Sequence, residues 1–174
     1  MSRLVQPLQR IAVGVVVERR KADSRWIDYV WRGIAVLPDE PAMAPWTVIR
    51  DQDDTTLFYA GRATVDLYRS ETELYRDNLA SGAPSVWIVL SPSEGDWPYV
   101  VSAVTADPAE GEAFTEASTY LVEAVPMPEA LRATIETFVA EHHVERVFVK
   151  RERGRTDPEA LARAVEALLD RIDI

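Results

Sequence analysis

The sequence predicts an α+β fold: an antiparallel sheet of about six or seven strands, with the option of curling toward a barrel, and helices mainly toward the C-terminal half. Three observations carry this. Apolar residues alternate with a period of two in the first 70 residues, as in Ile11, Val13, Val15 and Val17; turn-forming residues separate such segments; and helical spacing with capping chemistry gathers after residue 70.

The first strand covers residues 9 to 18, and its other face, Ala12, Gly14 and Val16, is thin. Trp26 to Val36 is rich in aromatic and branched residues and gives a second strand, in which Arg32-Gly33 marks a bulge or a close backbone approach. A Pro-rich connector runs from Pro38 to Pro45, then a short extended piece from Trp46 to Arg50 meets a turn at Asp51 to Asp54. Residues 55 to 67 place Leu57, Tyr59, Ala63, Val65 and Leu67 on one side and read as a half-exposed strand. Val86 to Leu90 is continuously apolar and therefore central, and the SPSEGD turn leads into Trp97 to Thr105 as an antiparallel hairpin. Tyr120 to Val125 returns to the sheet.

Capping chemistry locates the helices. Ser70 with Glu73 fits a capping box, and Gly82 can end that helix after residue 80. Asp107 caps a second helix with Pro108 at its first position, where a missing N–H costs nothing. From Glu129 the stripe Leu131, Ile135, Phe138, His142 recurs at helical intervals behind Pro128. Val144 to Lys150 is then extended, and a last helix capped by Asp157-Pro158 shows Leu161, Val165, Leu168 and Ile172 on one face. Residues 1–153 form one α+β domain in this reading, and residues 154–174 a C-terminal amphipathic helical extension, with a hinge at Arg153-Gly154-Arg155.

A chain of 174 residues suffices for one domain that buries about 70% of its extended-chain surface. The 47% apolar share and 28% charged share are those of a chain that folds unaided. The absence of Cys removes disulfides, thiolate metal sites and cysteine nucleophiles together. No segment reaches the roughly 20 apolar residues of a spanning helix, and Ile11 to Val17 is followed by charge rather than a cleavage site, so a cytoplasmic protein off the membrane is expected. A net charge of -10 repels phosphate backbones and argues against nucleic acid.

His142 and His143 are the only histidines. Adjacent helix residues point about 100° apart, so the pair does not suit one metal ion, and none is expected. His142 continues the buried stripe with Phe138 and takes a structural role; His143 lies off the stripe, near a helix C-terminus where a protonated ring is favoured. Behind the pair stand Arg146, Lys150, Arg151 and Arg153, a basic run in an acidic chain. Its plain reading is a solvated face. Its sharper reading is a dock, with His143, for an acidic partner segment or an anion, since forked guanidinium donors suit carboxylates and phosphates. The tryptophans, Trp26 and Trp31 included, read as core or sheet-face residues rather than a base-stacking platform. Neither a phosphate loop nor a nucleophile elbow occurs, and no carboxylate pair stands out as acid and base.

The segments IAVGVVVERR, SRWIDYVWRGIAVLP, YRSETELYRDNL and VEAVPMP, followed by FVAEHHVERVFVKRER, resemble in order the bacterial family known as domain of unknown function 3305, over most of residues 10 to 153. The resemblance implies association with molybdenum-dependent formate dehydrogenases, beside whose genes such genes often lie. A molybdopterin-guanine dinucleotide biosynthesis label attached to some members implies a nucleotidyltransferase with a Gly-rich loop after its first strand. Here that stretch holds Gly14 alone, which departs from the pattern. The expectation is therefore a non-catalytic accessory protein without cofactor, binding a formate dehydrogenase subunit or maturation factor. A cofactor-binding protein or enzyme of molybdopterin metabolism is the alternative, and a homodimer through the C-terminal helix is compatible with either.

Overall fold

The computed structural model describes residues 5–144 and positions 159, 162, 163, 165 and 166. The chain divides into two compact units, Met1–His143 and Val144–Ile174. In the second, the described positions from 159 to 166 are helical, with Arg163 reaching back to Glu159 at i−4 and Val165 47% exposed. The strand expected from Val144 to Lys150 lies, beyond Val144, outside the described residues, as do the expected domain boundary at 153 and Leu161, Leu168 and Ile172.

The first unit holds seven antiparallel strands and three α-helices among the described residues. In chain order they are β1 (Gln9–Lys21), β2 (Tyr29–Leu37), β3 (Thr47–Gln52), β4 (Thr55–Leu67), α1 (Thr72–Ala80), β5 (Ser85–Pro92), β6 (Tyr99–Thr105), α2 (Pro108–Glu116), β7 (Leu121–Pro126) and α3 (Glu129–His142). The α+β class is as the sequence predicts. The sheet does not close into a barrel; it forms two sheets, ordered β2-β1-β4-β3 and β6-β5-β7.

The alternation read in β1 is realised: Val13, Val15 and Val17 are fully buried. Its thin face is covered at Gly14 and Val16, because Gly14 leaves room for the Tyr59 ring and Pro41, which an added Cβ would meet at 2.8 and 3.0 Å. The Pro-rich connector thus reaches the outer side of the sheet. At Gly33 both sequence readings hold: the β1–β2 register slips there, pairing Val16 with Ala35 and Val17 with Gly33, and a Cβ on Gly33 would strike Ile88 of the facing sheet. Val86, Ile88, Val89 and Leu90 of the central strand β5 are likewise at 0% exposure, and Leu131, Ile135 and Phe138 of α3 close the core.

Two capping expectations part ways. Asp107 caps α2, its Oδ1 accepting from the N–H groups of Ala109 (2.8 Å) and Glu110 (3.4 Å), with Pro108 next to it. The Ser70–Glu73 box does not form. A 3-10 turn spans Arg69–Glu71, α1 starts at Thr72, and Ser70 donates to the Glu71 carboxylate instead. The free N–H of Tyr68 is served by the buried Tyr75 phenol at 3.0 Å, a tertiary contact that replaces a local one. At the other end, Gly82 takes φ +82 just past α1. Buried Asn78 donates to the Ser85 and Ala106 carbonyls (2.8 and 2.9 Å) and accepts from Ser85 N–H (3.0 Å), tying α1 to the β5 start and the β6 end.

Helix α2 lies directly on the Trp87 indole. A Cβ on Gly111 would sit 2.4 Å from Trp87 Cγ, so Gly111→Ala forces helix and sheet apart despite alanine's higher helix propensity. We expect a loss of about 1–3 kcal/mol in urea unfolding, as for other overpacked cores; an unchanged midpoint would show that α2 does not pack at this distance.

Candidate partner-binding surface

Strands β1 and β4 have 13 residues each, whereas β5, β6 and β7 have eight, seven and six. The shorter sheet cannot cover the longer one. The end of β1 after Val17 loses full burial, as do the β2 start and all six residues of β3. Register places Trp31, Arg19, Thr56 and Asp51 in one row across this overhang.

What covers its inner face is aromatic. Trp31, Trp46, Phe58 and Trp97 form one cluster, with Trp46 stacked on Trp97 (5.2 Å, 17°), Trp31 on Phe58 (5.8 Å, 22°), and Tyr99 against Trp31 (6.3 Å). The Arg19 guanidinium lies 4.5 Å from the Tyr29 ring centre, 5.2 Å from Phe58 and 5.6 Å from Trp31. It also donates to Thr56 Oγ1, which donates to Asp51 Oδ1. Trp46 takes φ +66, rare for a bulky residue and a strain of about 1–3 kcal/mol. On the opposite face Glu18 pairs with Arg20 (3.5 Å) and Arg32 (3.3 Å).

The tip of the β1–β2 hairpin projects from this end. Ala22 N–H bonds the Asp28 carbonyl, so residues 22–28 form a closed loop, and β2 starts at Tyr29 rather than Trp26. Trp26 is 92% exposed, and Ile27, Tyr29 and Val30 beside it are exposed as well. The structural role expected of Trp26 is therefore overturned: the turn leaves the indole nothing to pack on. Trp31, five residues on, is partly buried and packs against the core. Across the overhang, Val48 and Ile49 of β3 are exposed too. Arg20, Lys21, Asp23, Arg25 and Asp28 mix both charges around the apolar tip. An aromatic centre with a polar rim is the usual anatomy of a protein interface.

The histidines sit elsewhere. His142 packs on the Phe138 ring at 4.6 Å, and Phe138 is buried. His143 caps the α3 end and is engaged by α1: Arg76 Nη1 lies 3.1 Å from Nε2, and Thr72 Oγ1 lies 3.1 Å from Nδ1. Arginine only donates, so Nε2 accepts and the proton sits on Nδ1, donating to Thr72, whose hydroxyl donates to the Arg69 carbonyl. Arg146, Lys150, Arg151 and Arg153 lie outside the described residues. Among the described residues no three His, Asp or Glu side chains are placed to hold a metal ion, and no helix is long and apolar enough to cross a membrane.

Exposure separates the two kinds of tryptophan. Trp26→Ser should change stability by less than about 0.5 kcal/mol, while Trp46→Ala should lose about 1.5–3 kcal/mol through its half-buried ring. Urea midpoints of the two variants check this; equal losses would mean that Trp26 packs on the domain.

The family model described as "Protein of unknown function (DUF3305)" matches residues 12–152. Neither the curated proteins nor the solved structures contain a match to the chain. The family match spans well over half of the 174 residues and takes in both sheets and all three helices of the first unit, and the chain belongs to the DUF3305 family.

Proposed function

We propose that the protein is a non-catalytic accessory protein that binds another protein through the open end of its longer sheet. The observation that carries this is the Trp26–Ile27 tip, an indole 92% exposed beside further apolar side chains on an ordered hairpin. Water contact of that extent is unfavourable by about 25 cal/mol per Å2 of apolar surface, and a partner that covers the tip recovers it. The resemblance read from the sequence supplies the partner class: a subunit or maturation factor of a molybdenum-dependent formate dehydrogenase, whose assembly or regulation this protein assists.

The alternative of a molybdopterin or nucleotide site calls for a concave basic pocket. A cavity of about 310 Å3 in the first unit instead carries Asp66 and Glu110, the wrong sign for phosphate, with Arg62 at its margin held by Glu40 at 3.1 Å. The accessory reading is the better supported of the two.

The test is recovery of formate dehydrogenase subunits with the tagged full-length chain from cells growing on formate. Trp26→Ser with Ile27→Ser should reduce recovery at least tenfold while leaving the circular dichroism melt unchanged. Full recovery by that variant rejects the surface; no recovery by the unaltered chain rejects the partner class. Charge reversal at Lys150 and Arg151 reads the basic run separately, as a salt-sensitive part of the same capture.

A further inference from the structure

An open sheet edge is a template for another strand, and the two edges of the longer sheet are protected to different degrees. In the order β2-β1-β4-β3 the outer strands are β2 and β3, and among the described residues neither has a ladder on its outer side. β3 is blunted: its register with β4 shifts between Val48 and Arg50, and the charged residues Arg50 and Asp51 follow, with Asp53 and Asp54 in the turn. The start of β2 has no such break. From Tyr29 to Gly33 it pairs with β1 residue for residue, and Tyr29 and Val30 are 43% and 52% exposed.

The hydrogen bonds fix which of its peptide groups face outward. Ala22 N–H donates to the Asp28 carbonyl at 2.9 Å, so the alternation of an antiparallel ladder makes Arg20 with Val30, and Glu18 with Arg32, the next hydrogen-bonded pairs. Tyr29 and Trp31 occupy the positions between. Their N–H and C=O groups therefore turn away from β1; in agreement, Lys21, opposite Tyr29, gives its own N–H to the Asp54 carbonyl on the β4 side. Tyr29 and Trp31 thus present donors and acceptors to solvent at the spacing of a ladder.

The residues around them are complementary to themselves. Asp28-Tyr29-Val30-Trp31-Arg32 reads acid, ring, branched, ring, base. When a second copy runs antiparallel with Tyr29 opposite Trp31, Val30 meets Val30, and by two-fold symmetry Asp28 meets Arg32 at both ends. Sliding to the next hydrogen-bonded register in either direction sets Val30 against Asp28 or against Arg32, and both ion pairs are lost. Arg32 contacts Glu18 at 3.3 Å while its side chain stays 51% exposed, so a second carboxylate can reach the guanidinium fork.

We propose that two copies of the chain join edge to edge through Asp28 to Arg32, so that their four-stranded sheets become one across a two-fold axis at Val30. So short a paired stretch makes a small interface, and the dimer is a reversible one. Trp26 lies outside the paired stretch, and the pairing does not depend on the accessory role.

The chain has no Cys, so one introduced thiol reports on one position. In the dimer the two Val30 residues form a non-hydrogen-bonded pair, with Cα atoms about 4.5 Å apart, within reach of a disulfide. Val48 on β3 has the same 52% exposure and serves as control. Under mild oxidation, purified full-length Val30→Cys should form a covalent dimer at least tenfold faster than Val48→Cys. In sedimentation velocity the unaltered chain should pass from one chain mass toward two as concentration rises. Asp28→Arg should weaken this association at least fivefold, and Asp28→Arg with Arg32→Glu should restore it, each variant's melt being checked first. Equal cross-linking of the two Cys variants, as a dimer joined elsewhere or a foreign strand on β2 would give, overturns the proposal. So does a folded double variant that associates no more tightly than Asp28→Arg.

Discussion

Strand length is the constraint from which the rest of this molecule follows. At about 3.3 Å per residue, the 13 residues of β1 and β4 reach about 43 Å, and the eight of β5 about 26 Å. One core can form only where both sheets are present, and there Val13, Val15, Val17, Ile88 and Leu90 are sealed from water. Beyond it the longer sheet must be covered by its own side chains or left open. Both happen, and they happen on different residues.

The covered part draws on large rings. Each favourable aromatic pair contributes about 0.5–1.5 kcal/mol beyond its buried area, and Trp46 has three ring partners in Trp31, Phe58 and Trp97. Those contacts are of the size needed to hold its backbone at φ +66. Arg19 completes the layer by lying across Tyr29, Trp31 and Phe58 while its charge is led through Thr56 to Asp51 at the rim. The open part, Trp26, Ile27, Val30 and β3, has no such cover.

Much of the fold was legible because it rests on local patterns. Period-two alternation placed β1 and the extent of β4, although the β1–β4 register shift at Val15/Val16 turns Tyr59 to the face opposite Val65 and Leu67; an unbroken apolar run placed β5 at the centre of its sheet, and Asp107-Pro108 placed α2. Gly33 could be read as a bulge or a close approach, and proved to be both. Tertiary contacts defeated the rest. Ser70 lost its capping role because the Tyr75 phenol takes the Tyr68 amide from inside the core. Splitting into two sheets follows from strand lengths that propensity cannot fix to within the residue or two that decides coverage. Trp26 and Trp31 are alike in sequence context, and only the Ala22–Asp28 bond, which ends the strand between them, makes one exposed and the other packed. The role of Arg19 had a faint signal, a cation on the apolar-facing phase of β1, but the three rings that receive it come from two other strands, β2 and β4.

The account stands on Trp26 being free in the isolated chain and covered in the assembly. Oxidative footprinting with mass spectrometry reads all five tryptophans at once. Trp26 should be labelled far faster than Trp31, Trp46, Trp87 and Trp97 in the purified protein, and should lose that labelling when the protein is in complex with its partner. Slow labelling of Trp26 in the purified protein, or undiminished labelling in the complex, would contradict it.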